Sequence, residues 1–212
     1  MQAIDSFRGD NEFLSSGFSC NIEFEGAIYP SLEHAFQAAK TDDLTARANI
    51  QAAATATDAK NLGKQVVIVP DWDQKRLDVM ASLVRQKFTN NLDLKVKLLM
   101  TGTKDLVQGG MRRDRFWGTD KNGVGENHLG KILVTVRDAI RASEGGVFTV
   151  VSDHLTKHGL GFVAEKIAAL KTKSNDLTKF VWTNNCPFDV VASAVEAERV
   201  RDEVKDTLSD LE

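Results

Sequence analysis

The sequence predicts an α+β fold that is predominantly helical, with a small α/β extension at its C-terminal end. Apolar residues recur at the spacing of one helix face in most windows of the chain, whereas the stretch "CNIEFEGAI" alternates with the period of a strand. A Gly145-Gly146 pair closes the last of these helical windows and separates off a tail with two further β-like runs. At 212 residues and 42% hydrophobic, the chain can bury one sizeable core and still carry an appendage.

The elements follow in order. "CNIEFEGAI" places Ile22, Phe24 and Ala27 around a Glu-Gly turn and predicts a β-hairpin. "YPSLEHAFQAAK" sets Leu32, Ala35, Phe36 and Ala39 on one helix face, with Pro30 and Ser31 at the turn and N-cap. "LTARANIQAAA" predicts a second helix, and "TDAKNLGK" a short third one, capped by Thr57 and stopped near Gly63. "VVIVP" is a brief apolar run before Pro70. Asp71 then opens a long helix with Leu77, Met80, Val84 and Phe88 on one face. "LDLKVKLLMTG" makes another helix that stops at Gly102, and "KDLVQGG" reads as a short strand and turn. The Gly- and Asn-rich loop "RFWGTDKNGVGENHLG" feeds the last helix of the main body, with Leu129, Ile132, Leu133, Val136 and Ile140 on its stripe.

The double glycine predicts two domains, 1–146 and 147–212. The first carries 19 basic and 19 acidic residues and the second 8 and 11, so the net charge of −3 lies wholly in the tail. The tail holds "VFTVV", a helix over 162–170, "KFVWT" and a final helix striped by Ala197, Val200, Val204, Leu208 and Leu211. A chain with this balance and a pI of about 5.9 is no polycation, so any large nucleic-acid footprint needs a basic patch assembled by the fold. Cys20 and Cys186 lie far apart with no metal-type spacing, which suggests a reducing compartment. The first residues lack an apolar signal region, and no apolar run reaches the roughly 18 residues of a membrane span. The expectation is a soluble cytoplasmic protein without a membrane partner, a metal or a cofactor.

Glu33 is the first candidate for chemistry. It edges an apolar helix face, with Gln37 one turn and Lys40 two turns further on. An acid in a first turn is ordinarily explained by the helix dipole, worth roughly 0.3–1 kcal/mol. Trp72, at the exposed-looking start "PDWDQKR", either packs beneath the helix N-terminus or offers its face to a flat ligand. In "FWGTDKNGVGENHLG", Gly118, Gly123, Gly125 and Gly130 permit close backbone approach, and Asn127 is placed to cap the helix that follows. A helix N-terminus there would suit a phosphate. Trp117 and Asp120 add an aromatic face and a carboxylate. In "FRGDNEFLSS", Arg8 can pair with a phosphate in bidentate fashion, although a lone surface arginine is more often simply solvated. His34 is expected to point away from the apolar stripe, His128 sits in the loop, and Cys20 reads as a small core residue.

Taken together, "FRGDNEFLSS", "YPSLEHAFQAAKT", "DW…R…M…KF", "LLMTGTKDL", "FWG" and "GVGENHLGKILVTVR" resemble the NADAR (YbiA-like) family, in order and over roughly residues 6–141. The resemblance implies a compact, mainly helical α+β domain without a metal. It implies an N-glycosidase that cleaves between a ribose C1′ and a nitrogen. The substrates it suggests are phosphorylated riboflavin-pathway intermediates or ADP-ribose attached to guanine in nucleic acid. ADP-ribose is the expected substrate, because it offers two phosphates and a second base to a site with two tryptophans. A nucleotide-binding module without catalysis, and an interaction protein acting through its acidic tail, are the competing classes.

The family's catalytic glutamate, in its "EH" pair, falls on Glu33, its stacking tryptophan on Trp72 and its "WG" tryptophan on Trp117. Asp120 is the implied second carboxylate. Arg8, Ser15, Ser16, Lys40, Gly118, Gly125 and Asn127 complete the implied substrate-binding set. This chain departs from the family in reading Ser15-Ser16-Gly17 where Ser-Asn-Phe is usual, in setting Thr119 between "WG" and Asp120, and in carrying Gln108 near a position where a member has Glu.

Overall fold

The computed structural model of the chain describes residues 3–109, 114–142 and 157. The Gly145-Gly146 boundary, Cys186 and the expected tail elements lie outside them. The chain divides into two compact units, one of Met1–Asn90 with Lys104–Val136, the other of Asn91–Thr103 with Arg137–Glu212.

In the first unit a 3-10 helix, Gly9–Leu14, precedes the hairpin of β1 (Ser19–Phe24) and β2 (Ala27–Ser31). The strands are antiparallel, with Phe24 opposite Ala27. Glu25 and Gly26 both take positive φ, 47° and 78°, as a two-residue hairpin turn of matching twist requires. β2 runs directly into α1 (Leu32–Ala38), because Ser31 ends the strand and its hydroxyl accepts from His34 N. α2 (Leu44–Gln51), α3 (Ala56–Leu62) and α4 (Trp72–Thr89) follow, and α1 packs against all three and against both strands. Every residue of α1 is buried. Three of its seven side chains, Glu33, His34 and Gln37, are polar, so each must find partners inside. Leu14, Ile22, Leu32, Ile50, Val84 and Phe88 form the centre of this core, with Phe13 edge-on to Phe88 at 6.5 Å.

Several local expectations are corrected. The cap of α3 is Thr55, not Thr57, because the Thr55 hydroxyl accepts from Asp58 N and donates to the Asp58 carboxylate in reciprocal fashion. Val69 is buried and its N–H donates to Lys40 O, while Val67 and Ile68 face solvent. The strand expected in "KDLVQGG" is reduced to one parallel bridge, Leu106 to Ile4.

The second unit contains α5 (Leu92–Met100) and the last turns of α6 (His128–Ala142). Gly102, at φ 65°, ends the segment, and Arg141 donates to its carbonyl while Arg137 donates to Thr101 Oγ1 at 2.9 Å. Among the described residues no helix is long and apolar enough to cross a membrane.

Candidate active site

Glu33, only 9% exposed, is held in a frame of three hydrogen bonds. Ser16 Oγ donates to Oε2 at 2.7 Å, Gln37 Nε2 donates to Oε1 at 2.7 Å, and the Glu33 N–H donates to Ser16 O at 2.8 Å. Each carboxylate oxygen thus has one donor and a further lone pair to offer. The Gln37 amide reaches this position because residue 63 is glycine. A Cβ there would meet Gln37 Oε1 at 2.0 Å and Gln37 Cβ at 2.8 Å. A surface acid serving the helix dipole needs no such frame. Glu33 is a fixed, buried acceptor.

The carboxylate lines a cavity of about 280 Å³. Its aromatic wall comes from three elements: Phe36 from α1, Trp72 from α4, and Phe116 and Trp117 from the loop. The Phe36 ring lies 5.1 Å from Trp72 and 5.3 Å from Trp117, so the two tryptophans flank one phenylalanine and share one box. Trp72 is 7% exposed. Trp72 thus packs against Phe36 and also lines the cavity.

Cations converge on the same space. Lys40, Lys60 and Arg76 line it. Burial pushes the Lys40 ammonium below its ordinary range, and the nearby Glu33 charge pulls it partly back. Arg76 lies 3.8 Å above the Phe116 ring. Asp114 is a second carboxylate in the lining; it accepts from Trp117 N at 3.0 Å and stands 3.8 Å from Lys60 Nζ. Three buried polar atoms of the lining, Gln37 Oε1, Arg76 Nε and Gln108 Oε1, have no hydrogen-bond partner among the described residues. Unmet buried polarity at a cavity wall is what a bound polar ring would satisfy.

A second cavity of about 430 Å³ adjoins Glu33 and contains Arg8, Ser15 and Thr57. Ser16, Glu33, Lys60 and Gln108 line both cavities.

The glycine loop is organised differently from the sequence expectation. Asp120 does not line either cavity. Its Oδ1 accepts from Asn122 N and Val124 N at 2.9 and 3.0 Å, and its Oδ2 accepts from Arg115 at 2.6 Å. The bonds from Val124 and Asn122, with Arg115 adding to them, hold the carboxyl below its usual range. Asp120 is a loop staple rather than a partner of Glu33. Gly118 and Gly125 serve backbone crossings: a Cβ on Gly118 would meet Gln108 O at 2.2 Å, and one on Gly125 would meet Gly118 O at 2.2 Å. Asn127, at φ 50°, does not cap α6 but donates to Leu106 O and accepts from Gln108 N. The first amides at α6 are not open to phosphate, since Asn127, His128 and Leu129 N donate to the carbonyls of Gly118, Phe116 and Trp117.

Of the residues expected from sequence, the structure brings together Glu33, Ser16, Lys40, Trp72 and Trp117 at the first cavity, and Arg8, Ser15, Ser16 and Glu33 at the second. It leaves Asp120, Gly118, Gly125 and Asn127 in the loop framework. Sequence reasoning missed Asp114, Lys60 and Arg76. Arg76 carried a signal, because it follows Trp72 by four residues and so shares its helix face.

Behind the frame lies Lys87 of α4, 1% exposed, which donates to Ser15 O at 2.7 Å. Burial lowers its ammonium to about 8. His34 is buried, contrary to expectation, with Nδ1 2.7 Å from Ser31 Oγ and Nε2 3.2 Å from Ala53 O. A carbonyl can only accept, so Nε2 carries the proton and Nδ1 accepts from Ser31 in the neutral ring. Cys20 is half-buried with its thiol pushed up by burial, as suits a packing residue.

Residues 6–141 match the NADAR domain. The chain belongs to the NADAR domain family. An N-glycosidase of Nostoc punctiforme is 36% identical over 125 residues, covering 57% of this chain and 80% of that protein. The N-glycosidase YbiA of Escherichia coli is 30% identical over 121 residues, 56% of this chain and 75% of that one. A riboflavin biosynthesis protein of Vibrio vulnificus is 36% identical over 131 residues, which are 61% of this chain but 35% of the Vibrio protein. This NADAR chain thus matches about a third of the length of that larger relative. The solution structure of Escherichia coli YbiA superposes with a TM-score of 0.59 at 29% identity, covering 66% of this chain and 86% of that one. The NADAR fold is therefore the α+β fold seen here, and the tail falls outside the matched range.

Proposed function

We propose that the chain is a hydrolase, an N-glycosidase that cleaves the bond between a ribose C1′ and a nitrogen. The observation that carries this is Glu33, oriented by Ser16 and Gln37 at the wall of a cavity whose other walls are Trp72 and Trp117. N-glycoside cleavage builds positive charge on the sugar, and a fixed carboxylate stabilises it. The C1′–N bond breaks with its electron pair going to nitrogen. Water adds at C1′, Glu33 accepts the proton it gives up, and that same proton passes on to the departing nitrogen, which restores the carboxylate. The similarity to proteins named N-glycosidases supports the same reaction.

For the substrate, the geometry best supports a small phosphorylated ribosyl compound with one ring. Trp72 and Trp117 share one aromatic box, and the helix amides expected to take a second phosphate are occupied. Similarity to a riboflavin biosynthesis protein supports a ribosylaminopyrimidine 5′-phosphate in particular. ADP-ribose on guanine is the second reading, favoured by the larger second cavity with Arg8 and Lys60 in its lining.

The test is to incubate wild type and Glu33→Gln with ribosylaminopyrimidine 5′-phosphates and, separately, with ADP-ribosylated DNA. Release of ribose 5-phosphate in the first arm, lost in the folded variant, is expected. Removal of the carboxylate should cost at least about 10²-fold in turnover, the lower end for a positioned acid–base group. Normal turnover by Glu33→Gln would refute its role. ADP-ribose release alone would establish the second reading.

A further inference from the structure

We infer that the second cavity is a separate subsite for the anionic, phosphate-bearing side of the substrate, with Arg8 as its phosphate ligand; this rests on the N-glycosidase reading above. The linings differ in chemistry. The first holds four aromatic rings and unmet polar atoms, the furnishing for a flat nitrogenous ring, and its cations are engaged there, Arg76 over the Phe116 ring and Lys60 beside Asp114, with Lys40 near Glu33. The second has one aromatic ring, Phe7, and instead Arg8, Lys60, two serines and a threonine, with the carboxylates of Glu12 and Glu33 also in its lining. Guanidinium and hydroxyl donors suit a phosphate and a polyol, and they offer little to a ring.

Glu33 and Ser16 belong to both linings. A bond broken at Glu33 has a ring on one side and a sugar on the other, so a two-part site centred on that carboxylate matches a two-part substrate. The roomier cavity falls to the larger, phosphorylated part. Arg8 is exposed, and its side chain makes no hydrogen bond or ion pair among the described residues. Its guanidinium is therefore available to a dianion without first leaving another carboxylate. Lys60 is shared by both cavities and stands 3.8 Å from Asp114, so it is less free to choose.

The arrangement fixes an orientation. The base enters the aromatic box, C1′ lies at Glu33, and the 5′ end of the sugar extends toward Arg8. It also predicts that the two halves of the substrate bind as independent fragments.

Calorimetric titrations of the full chain with ribose 5-phosphate, with ribose, and with a free aminopyrimidine test this. Wild type should bind ribose 5-phosphate more tightly than ribose and should bind it equally well when saturated with aminopyrimidine. Arg8→Gln should weaken ribose 5-phosphate about tenfold or more, remove the advantage over ribose, and leave aminopyrimidine binding unchanged. Arg8→Lys should restore part of the loss. Mutual exclusion of the two fragments would overturn the proposal, as would no binding of ribose 5-phosphate, or an Arg8→Gln variant that binds it as wild type does. These readouts need no turnover. A chain that binds both fragments together yet cleaves no ribosyl–nitrogen bond would leave the subsite standing and remove the glycosidase reading.

Discussion

Ser16 donates its hydroxyl proton to Glu33 Oε2 at 2.7 Å, while its own carbonyl receives the Glu33 amide. One residue thus fixes both ends of the candidate catalytic glutamate. Ser16→Ala removes the side-chain bond and keeps the backbone one. A hydrogen bond to a charged group is worth about 1.5–3 kcal/mol. We expect kcat to fall roughly 10- to 100-fold, with a smaller change in KM and a melting temperature near wild type. Steady-state kinetics beside a thermal melt decides this; unchanged kcat would show that Gln37 alone orients the carboxylate.

Trp72 packs on Phe36 and lines the cavity. Trp72→Ala should lose both binding and stability. Stacking losses run about 1–3 kcal/mol per base, and buried aromatic truncations about 3–5 kcal/mol when fully packed, so the stability loss should fall at or below that lower end. Trp72→Phe should recover more of the stability than of the affinity. Full affinity in the alanine variant would assign the residue to the core alone.

Lys87 gives a pH signature with a definite sign. Its folded ammonium titrates near 8, below the ordinary 10.5, so the unfolded chain holds more protons between those values. The contribution of Lys87 to stability therefore rises as pH climbs from about 8 toward 10.5. Lys87→Met should flatten that rise in melting temperature measured from pH 7.5 to 9.5, below the range in which Tyr29 titrates. It should also lower kcat, because Ser15 O loses a donor one residue from the Glu33 frame. An identical pH profile in variant and wild type would show that the ammonium is not carrying this linkage.

Asp120 separates a structural from a chemical carboxylate. Asp120→Asn retains an oxygen for the Asn122 and Val124 amides but presents an NH₂ toward Arg115. We expect a lower melting temperature and a raised KM, with kcat unchanged. A kcat loss of about 10²-fold or more in a folded variant would return Asp120 to the reaction.

The helices were readable in the sequence where a stripe of apolar residues had to face a core, as in Leu32-Ala35-Phe36 and Met80-Val84-Phe88. Glu33, Trp72 and Trp117 were readable as a set through family resemblance. What could not be read was contact across the chain. Nothing near Ser16 announces that Lys87, 71 positions later, supports its neighbour. Nothing in "GTDKNGVGEN" distinguishes a loop that offers its amides to phosphate from one that consumes them in its own carbonyls. His34 was misread because helical phase identifies the most apolar face, while packing by α2, α3, α4 and the hairpin together buries every face of α1.

The loop that delivers Phe116 and Trp117 is closed on itself by Asp120 and is pinned to Leu106 and Gln108 by Asn127. The Glu33 frame is made elsewhere, by Ser16, Gln37 and, behind them, Lys87. Under the proposed function, reactivity and leaving-group selectivity therefore fall in separable stretches of this chain. Exchange of the loop over 114–127 would then match the same glutamate frame to a different leaving group without moving it.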